Sequence, residues 1–157
     1  MRDEEAARQS AERMAMMLVD WGFPRMPARV LMAAMTADEE LLTAADIGER
    51  LGVSPAAVSG AVRYLIQLRM LIREPLPGSR RDVYRLPPDA WYEITALKGA
   101  LFKVLAGMSD ETVQALGEQT AGGRRMATMR DYFLFVEGEM PKLLERWRKH
   151  KADNGLD

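Results

Sequence analysis

Apolar residues recur at helical spacing over most of the chain, and the breaks between runs set the element boundaries. The first predicted helix runs from about Asp3 to Asp20. Acidic residues occupy its opening turn, and Gly22 and Pro24 lie beyond its end. Ala7, Ala11, Met14, Leu18 and Trp21 form its stripe at intervals of four and three, widened by Ala15 and Met17. Pro27, harmless in a first turn, opens a second helix through Val30, Leu31, Ala34 and Met35. The acidic run Asp38-Glu39-Glu40 marks a connection. Two short helices and a tight turn follow: Thr43 caps the first, with Asp46 completing a capping box, and Ile47 and Leu51 face inward. Gly52-Val53 makes the turn, Ser54 caps the next helix, and Pro55 fits its first position. Val58, Ala61, Val62, Leu65 and Leu68 anchor that helix.

The period then shortens. Residues 70–74 and 82–86 read as an antiparallel pair of strands, separated by a Pro- and Gly-containing loop over 75–81 with Arg80 and Arg81 near its tip. Beyond Pro87-Pro88 a helix begins near Asp89, carries Trp91, Ile94, Leu97, Leu101 and Val104, and ends before Gly107. Ser109 caps a further short helix with Val113 and Leu116 inward, and Gly122-Gly123 reads as a flexible loop beside Arg124-Arg125. The last helix spans about Met126 to His150, near 37 Å at 1.5 Å per residue. Its stripe is Met129, Phe133, Val136, Met140, Leu143 and Trp147, widened by Tyr132 and Leu144. Pro141 removes one ladder donor and crowds the carbonyl of Glu137, which predicts a kink or a restart near Gly138.

Composition adds exclusions. With 157 residues and 48% hydrophobic content the chain has enough material for one domain with a helical extension. The absence of cysteine removes disulfides, thiol nucleophiles and iron–sulfur ligation. No apolar run approaches the roughly 20 residues that span a bilayer, and the acidic N-terminus lacks a signal-peptide pattern, so a cytoplasmic protein with no membrane partner is expected. The net charge is only -1. Its distribution is uneven: residues 1–53 sum to -4, residues 54–85 to +4 and residues 86–157 to -1. A polyanion would bind the middle stretch.

The catalytic readings are weak. His150 is the single histidine and sits in a basic helix end that favours it electrostatically. Glu39-Glu40 and Glu137/Glu139 show neither metal-ligand spacing nor an acid–base partner, and no phosphate-binding glycine loop occurs. No enzyme, cofactor or metal site is therefore expected. In contrast, a helix, a tight turn, a second helix and a basic hairpin form a winged helix-turn-helix, whose second helix can enter the major groove of DNA. The predicted fold class is mainly α with a small antiparallel β-hairpin and terminal dimerisation helices. With Val58, Ala61, Val62 and Leu65 inward, the DNA-facing set is Ser54, Ala56, Ala57, Ser59, Gly60, Arg63 and Gln67, joined by Arg80 and Arg81 from the wing. Arg73 and Arg85 divide evenly between DNA-backbone contact and a solvated strand. Asp82 either orients a wing arginine or opens the return strand.

The terminal stripes call for a partner, and a second copy would bury them. The expected dimer surface comprises Ala7, Met14 and Leu18 with Met129, Phe133, Val136, Met140, Leu143 and Trp147. Residues 1–24 and 89–157 would then be dimerisation regions flanking a DNA-binding domain at 25–88. Such a homodimer presents two reading helices to a pseudopalindromic duplex, with entries about 34–36 Å apart. A small-molecule effector between the terminal helices and the wings would alter that separation. The competing reading is a winged-helix module that binds another protein without specific DNA recognition.

Residues 42–47, 51–59 and 78–82, Leu-Thr-Ala-Ala-Asp-Ile, Leu-Gly-Val-Ser-Pro-Ala-Ala-Val-Ser and Gly-Ser-Arg-Arg-Asp, resemble the MarR superfamily, especially its GbsR-like branch. The likeness spans roughly residues 10–150. It implies dimeric winged-helix regulators, usually repressors, with Ser54 to Gln67 as the recognition helix and Gly78 to Asp82 as the wing. GbsR-like proteins can answer to choline-type compounds, which would make Trp21, Phe23, Trp91 and Tyr92 an aromatic cation pocket, although core packing is the preferred role for them. Without cysteine, the thiol-oxidation mechanism of some relatives is unavailable.

Overall fold

The buried alanines of the first two helices show how the N-terminal half assembles. The computed structural model describes residues 3–88 and 90–156, and side chains throughout those spans except at 90, 91 and 93–97. Helix α1 (Glu4–Asp20) is capped by Asp3, whose carboxylate accepts from the Ala6 N–H at 2.9 Å. Its Ala11 and Ala15 are buried against Ala28 and Met32 of α2 (Arg25–Met35), small side chains that let the two helices pack closely. Arg29 ties the same pair together, reaching Glu12 through two nitrogens at 2.7–2.9 Å and also donating to the Leu51 carbonyl at 3.3 Å. Helix α2 is the centre of this unit. It packs on α1, on α3 (Ala44–Leu51) and on α4 (Pro55–Gln67). Ile47, Val58, Leu65 and Met70 complete the core with Val30 and Leu31.

The sheet has three strands rather than two. Leu42–Thr43 forms a short β1 against β3 (Asp82–Arg85), which also pairs with β2 (Ile72–Pro75), all antiparallel in the order β1-β3-β2. Two residues, the second of them the α3 cap, carry no alternation from which a strand could be read.

Local chemistry sets the joints. Thr43 and Asp46 form the expected capping box: Asp46 accepts from the Thr43 backbone N–H and hydroxyl at 2.7 Å, and Thr43 Oγ1 accepts from the Asp46 N–H at 3.2 Å. The hydrogen bonds from the Thr43 hydroxyl and N–H hold the Asp46 carboxyl below its ordinary value. A depressed folded-state pKa stabilises the fold above the unfolded value, near pH 4, and that stabilisation is lost as pH falls through the folded value. Asp46→Asn is therefore expected to cost about 0.5 kcal/mol at neutral pH. The difference from wild type should close below about pH 4. Urea unfolding across that range checks both; a constant difference would contradict this role.

Helices α3 and α4 end in the same geometry. In α3 the Val53 N–H reaches the Gly48 carbonyl, with Gly52 at φ 64°. In α4 the Met70 N–H reaches the Leu65 carbonyl at 2.8 Å, but the left-handed residue is Arg69, at φ 58°. A Cβ in that region is strained, so Arg69→Gly is expected to raise stability by about 1 kcal/mol. Chemical denaturation tests this, and a loss of stability would contradict it.

Residues Met1–Ala90 and Trp91–Asp157 form two compact units. The second is a helical hairpin of α5 (Ala90–Leu116) and α6 (Ala121–Asp153). Two sequence-based boundaries change here. The break at Gly107 and the cap at Ser109 are absent: α5 runs through both, Ser109 is buried, and its hydroxyl donates to the Leu105 carbonyl at 2.7 Å. Gly122-Gly123 is no flexible loop but the first turn of α6, capped by Thr120, whose Oγ1 accepts from the Gly123 N–H at 2.9 Å. Helix α6 also continues past Pro141 without a restart. Contacts on both sides hold it: Met140 lies over Gly99, and the Trp147 ring meets Tyr92 edge-on at 6.1 Å. Trp91, Ile94 and Leu97 lie outside the described side chains.

Candidate nucleic-acid interface

Helix α4 begins with Ser54 as N-cap and Pro55 in its first turn, so the helix start is satisfied locally, with Ser54 Oγ accepting from the Ala57 N–H at 3.4 Å. One face is buried through Val58, Ala61, Val62 and Leu65. The opposite face carries Ser54, Ala56, Ser59, Gly60, Arg63 and Gln67, all exposed, with Ala57 half-buried at its margin. Small side chains dominate the first two turns. Arg63 is the one charged group in the helix.

The hairpin of β2 and β3 separates the arginines of this stretch into two classes. Arg73 pairs with Asp82 across the strands, and Arg85 pairs with Glu74, each at 2.5 Å. These two contacts consume both acidic residues between 54 and 85, so Asp82 orients Arg73 rather than a wing arginine. Pairing with Asp82 also raises the Arg73 pKa above its ordinary value. Four arginines then carry the whole excess of four positive charges: Arg63, Arg69, Arg80 and Arg81. All four are exposed, and none forms an ion pair within 4 Å among the described residues. Arg81 acts on Asp46 at the start of α3 only through its field. Gly78, at φ 76°, makes the wing turn, where the Leu76 N–H bonds the Arg81 carbonyl and the Arg81 N–H bonds Ser79 Oγ. The wing tip is thus ordered by its backbone while both guanidinium groups face outward.

Arg69 was missing from the residues singled out by sequence, because a residue just beyond a helix end shows no periodicity. The charge sum over residues 54–85 includes it, but only the pairing of Arg73 and Arg85 singles it out. The aromatic residues considered as a cation pocket have other partners: Phe23 meets Tyr64 edge-on at 5.8 Å, Tyr92 meets Trp147, and Trp21 is 66% exposed. His150 stacks on Trp147 at 5.6 Å.

Residues 21–82 match the model of the MarR family, and residues 89–150 match that of MmpR5-like MarR family transcriptional regulators. Both halves of the chain are therefore similar to MarR family proteins. Its winged helix-turn-helix and three-stranded antiparallel sheet are those of a MarR-type fold, and MarR proteins are regulators that bind double-stranded DNA rather than enzymes. The chain is similar to the HTH-type transcriptional regulator MmpR5 of Mycobacterium tuberculosis, 25% identical over 131 residues that cover 83% of this chain and 79% of the relative. It also shares its fold with a transcriptional regulator of known crystal structure, with a TM-score of 0.76, 24% identity, and coverage of 92% of this chain and 99% of the other. Among the described residues no helix is long and apolar enough to cross a membrane.

The residues assigned to dimerisation fall into two groups. Leu18 packs against the α1–α2 core, and Phe133 stacks on Phe102 at 5.7 Å within the α5–α6 hairpin, where Val136 and Met140 are half-buried. Ala7 is also half-buried, whereas Met14, Met129, Leu143 and Trp147 remain exposed. Of the other apolar residues on these helices, Met17 on α1, Trp21 at its C-cap, Leu101 and Val104 on α5 and Tyr132 on α6 are exposed too, as are Met108 and Phe135, which the stripes read from sequence did not include.

Proposed function

We propose that this protein is a MarR-family, ligand-responsive repressor that binds a pseudopalindromic DNA site as a homodimer in the cytoplasm, with residues 25–88 as its reading domain and residues 1–24 and 89–157 as its pairing regions. The observation that carries the reading is the set of four unpaired arginines, one on the exposed face of α4, one at its end and two on the wing. Guanidinium groups left without carboxylates are available to phosphate oxygens and base edges. Ser54, Ala56, Ala57, Ser59, Gly60, Arg63 and Gln67 are assigned to the major groove, and Arg80 and Arg81 to the adjacent minor groove or backbone.

Large apolar side chains left exposed on α1, α5 and α6 support pairing; Phe135 is 67% exposed and Met108 59%. A groove of about 350 Å³ between α1, α2 and α3, with Ala7, Ala11 and Ala33 on its walls beside the Glu12–Arg29 pair, supports a small-molecule effector. A ligand that displaced Glu12 from Arg29 would also disturb the Arg29 contact to the end of α3. The GbsR-like placement within the family rests on the helix-turn-helix and wing residues, and the C-terminal half matches the MmpR5-like model. Fluorescence anisotropy against a randomised duplex library, repeated over a salt series, tests DNA reading. Expected is a preferred sequence whose log affinity falls linearly with log salt concentration. Sedimentation at micromolar concentration tests pairing, and a purely monomeric protein would contradict the symmetric reader.

A further inference from the structure

Gly60 occupies the sixth of thirteen positions in α4, well inside both caps. A glycine there weakens the helix relative to alanine, because the unfolded backbone has more freedom to lose. Two internal circumstances compensate for this elsewhere in the unit. Gly22, Gly52 and Gly78 have positive φ, and a Cβ on Gly48 would come within 3.0 Å of the Val53 carbonyl oxygen. Gly60 has neither: its φ is ordinary, and a Cβ built on it meets no atom of the chain within 4 Å. Gly107 and Gly138, inside the helices of the second unit, are open in the same way. What distinguishes Gly60 is its position on the exposed face of α4, beside Ser59, one turn after Ala56 and one turn before the unpaired Arg63.

We infer that Gly60 is a specificity-determining residue of the DNA-reading helix, its missing Cβ making room for the C5-methyl group of a thymine in the major groove. The inference deepens the proposed DNA reading and rests on it. Ala56 and Gly60 offer no side-chain hydrogen-bonding group at the point of closest approach, which suits the one apolar projection on a base edge. Ala56 and Arg63 are seven residues apart, about 10 Å along the axis at 1.5 Å per residue. That distance is about three base-pair steps of 3.4 Å. The thymine under Gly60 therefore lies one to two steps from the base pair reached by Arg63.

The test uses the full-length protein and the duplex that the wild type selects from a randomised library. Gly60→Ala is expected to raise the melting temperature by about 2–4 °C. It should weaken the selected duplex about tenfold. Its preference for the selected duplex over random-sequence DNA should shrink by about the same factor, since phosphate contacts are untouched. Replacing one thymine per half-site by deoxyuridine, which lacks only the methyl group, should return most of the affinity to Gly60→Ala while weakening the wild type. Equal affinity of the two proteins for the selected duplex would overturn the inference, and so would failure of deoxyuridine at every thymine to restore the variant. If the wild type selects no duplex, the DNA reading itself fails and this inference falls with it.

Discussion

Replacing Arg63 with alanine is expected to flatten the protein's preference among duplex sequences, at a cost of about 1–3 kcal/mol on its best site. Arg63 is exposed on α4, has no carboxylate partner among the described residues, and follows a face of small side chains that permits close approach. An arginine so placed makes two parallel hydrogen bonds to guanine, a contact that discriminates among bases. Arg80→Ala should behave differently. Its guanidinium stands on a wing turn held by the Leu76–Arg81 and Arg81–Ser79 hydrogen bonds, where phosphate and the minor groove are within reach. Affinity should fall across all sequences, and the slope of log affinity against log salt should shrink by about one unit. Arg73→Ala serves as the comparison, since Asp82 already neutralises that arginine. Anisotropy titrations over a salt and sequence series separate the three variants; unchanged binding for both Arg63→Ala and Arg80→Ala would remove α4 and the wing as the reading surface.

Gly123→Ala is expected to destabilise the helical hairpin by about 3 kcal/mol or more. The added Cβ would lie 2.0 Å from the Gly117 carbonyl oxygen and 2.7 Å from its carbon. Both are backbone atoms of the α5–α6 turn and cannot rotate away. Gly117 is itself held at φ 77°, and the Thr120 hydroxyl donates to its carbonyl at 2.9 Å while accepting from the Gly123 N–H. Relieving the clash means breaking the α6 cap. Gly122→Ala is the matched control: its Cβ would lie at ordinary contact distance, 4.0 Å, from Thr120 Oγ1 and would crowd only the end of the Leu116 side chain, at 3.2 Å, which can move. Urea unfolding of the two variants should separate them clearly. A Gly123→Ala protein within 0.5 kcal/mol of wild type, the usual range for a surface change, would show that the turn yields.

The reader was the most legible part of the molecule because its signals are local. Thr43 with Asp46, Gly52, Ser54 and Pro55 each act on backbone groups within a few residues, so their meaning survives without tertiary context. The buried face of α4 followed from its period for the same reason, and its other face was thereby assigned outward. The same reasoning failed at the second unit. Glycine and serine at 107–109 are breakers in isolation, yet packing on one face of α5 carries the helix through them. Gly122-Gly123 carries the composition of a flexible loop and the geometry of a crowded turn, a difference that depends on atoms five to six residues upstream.

From sequence alone came the helices and hairpin of the reading unit, its caps and turn, and the excess of four charges between residues 54 and 85. Tertiary structure decided which arginines bear that excess, because only strand register brings Asp82 to Arg73 and Glu74 to Arg85. It also decided which half of each apolar stripe is spent inside the chain, as with Phe133 on Phe102, and which half stays exposed, as with Tyr132 and Leu143. Helical periodicity shows that a face is apolar, but the identity of what covers it depends on distances between elements, to which spacing along one element is blind.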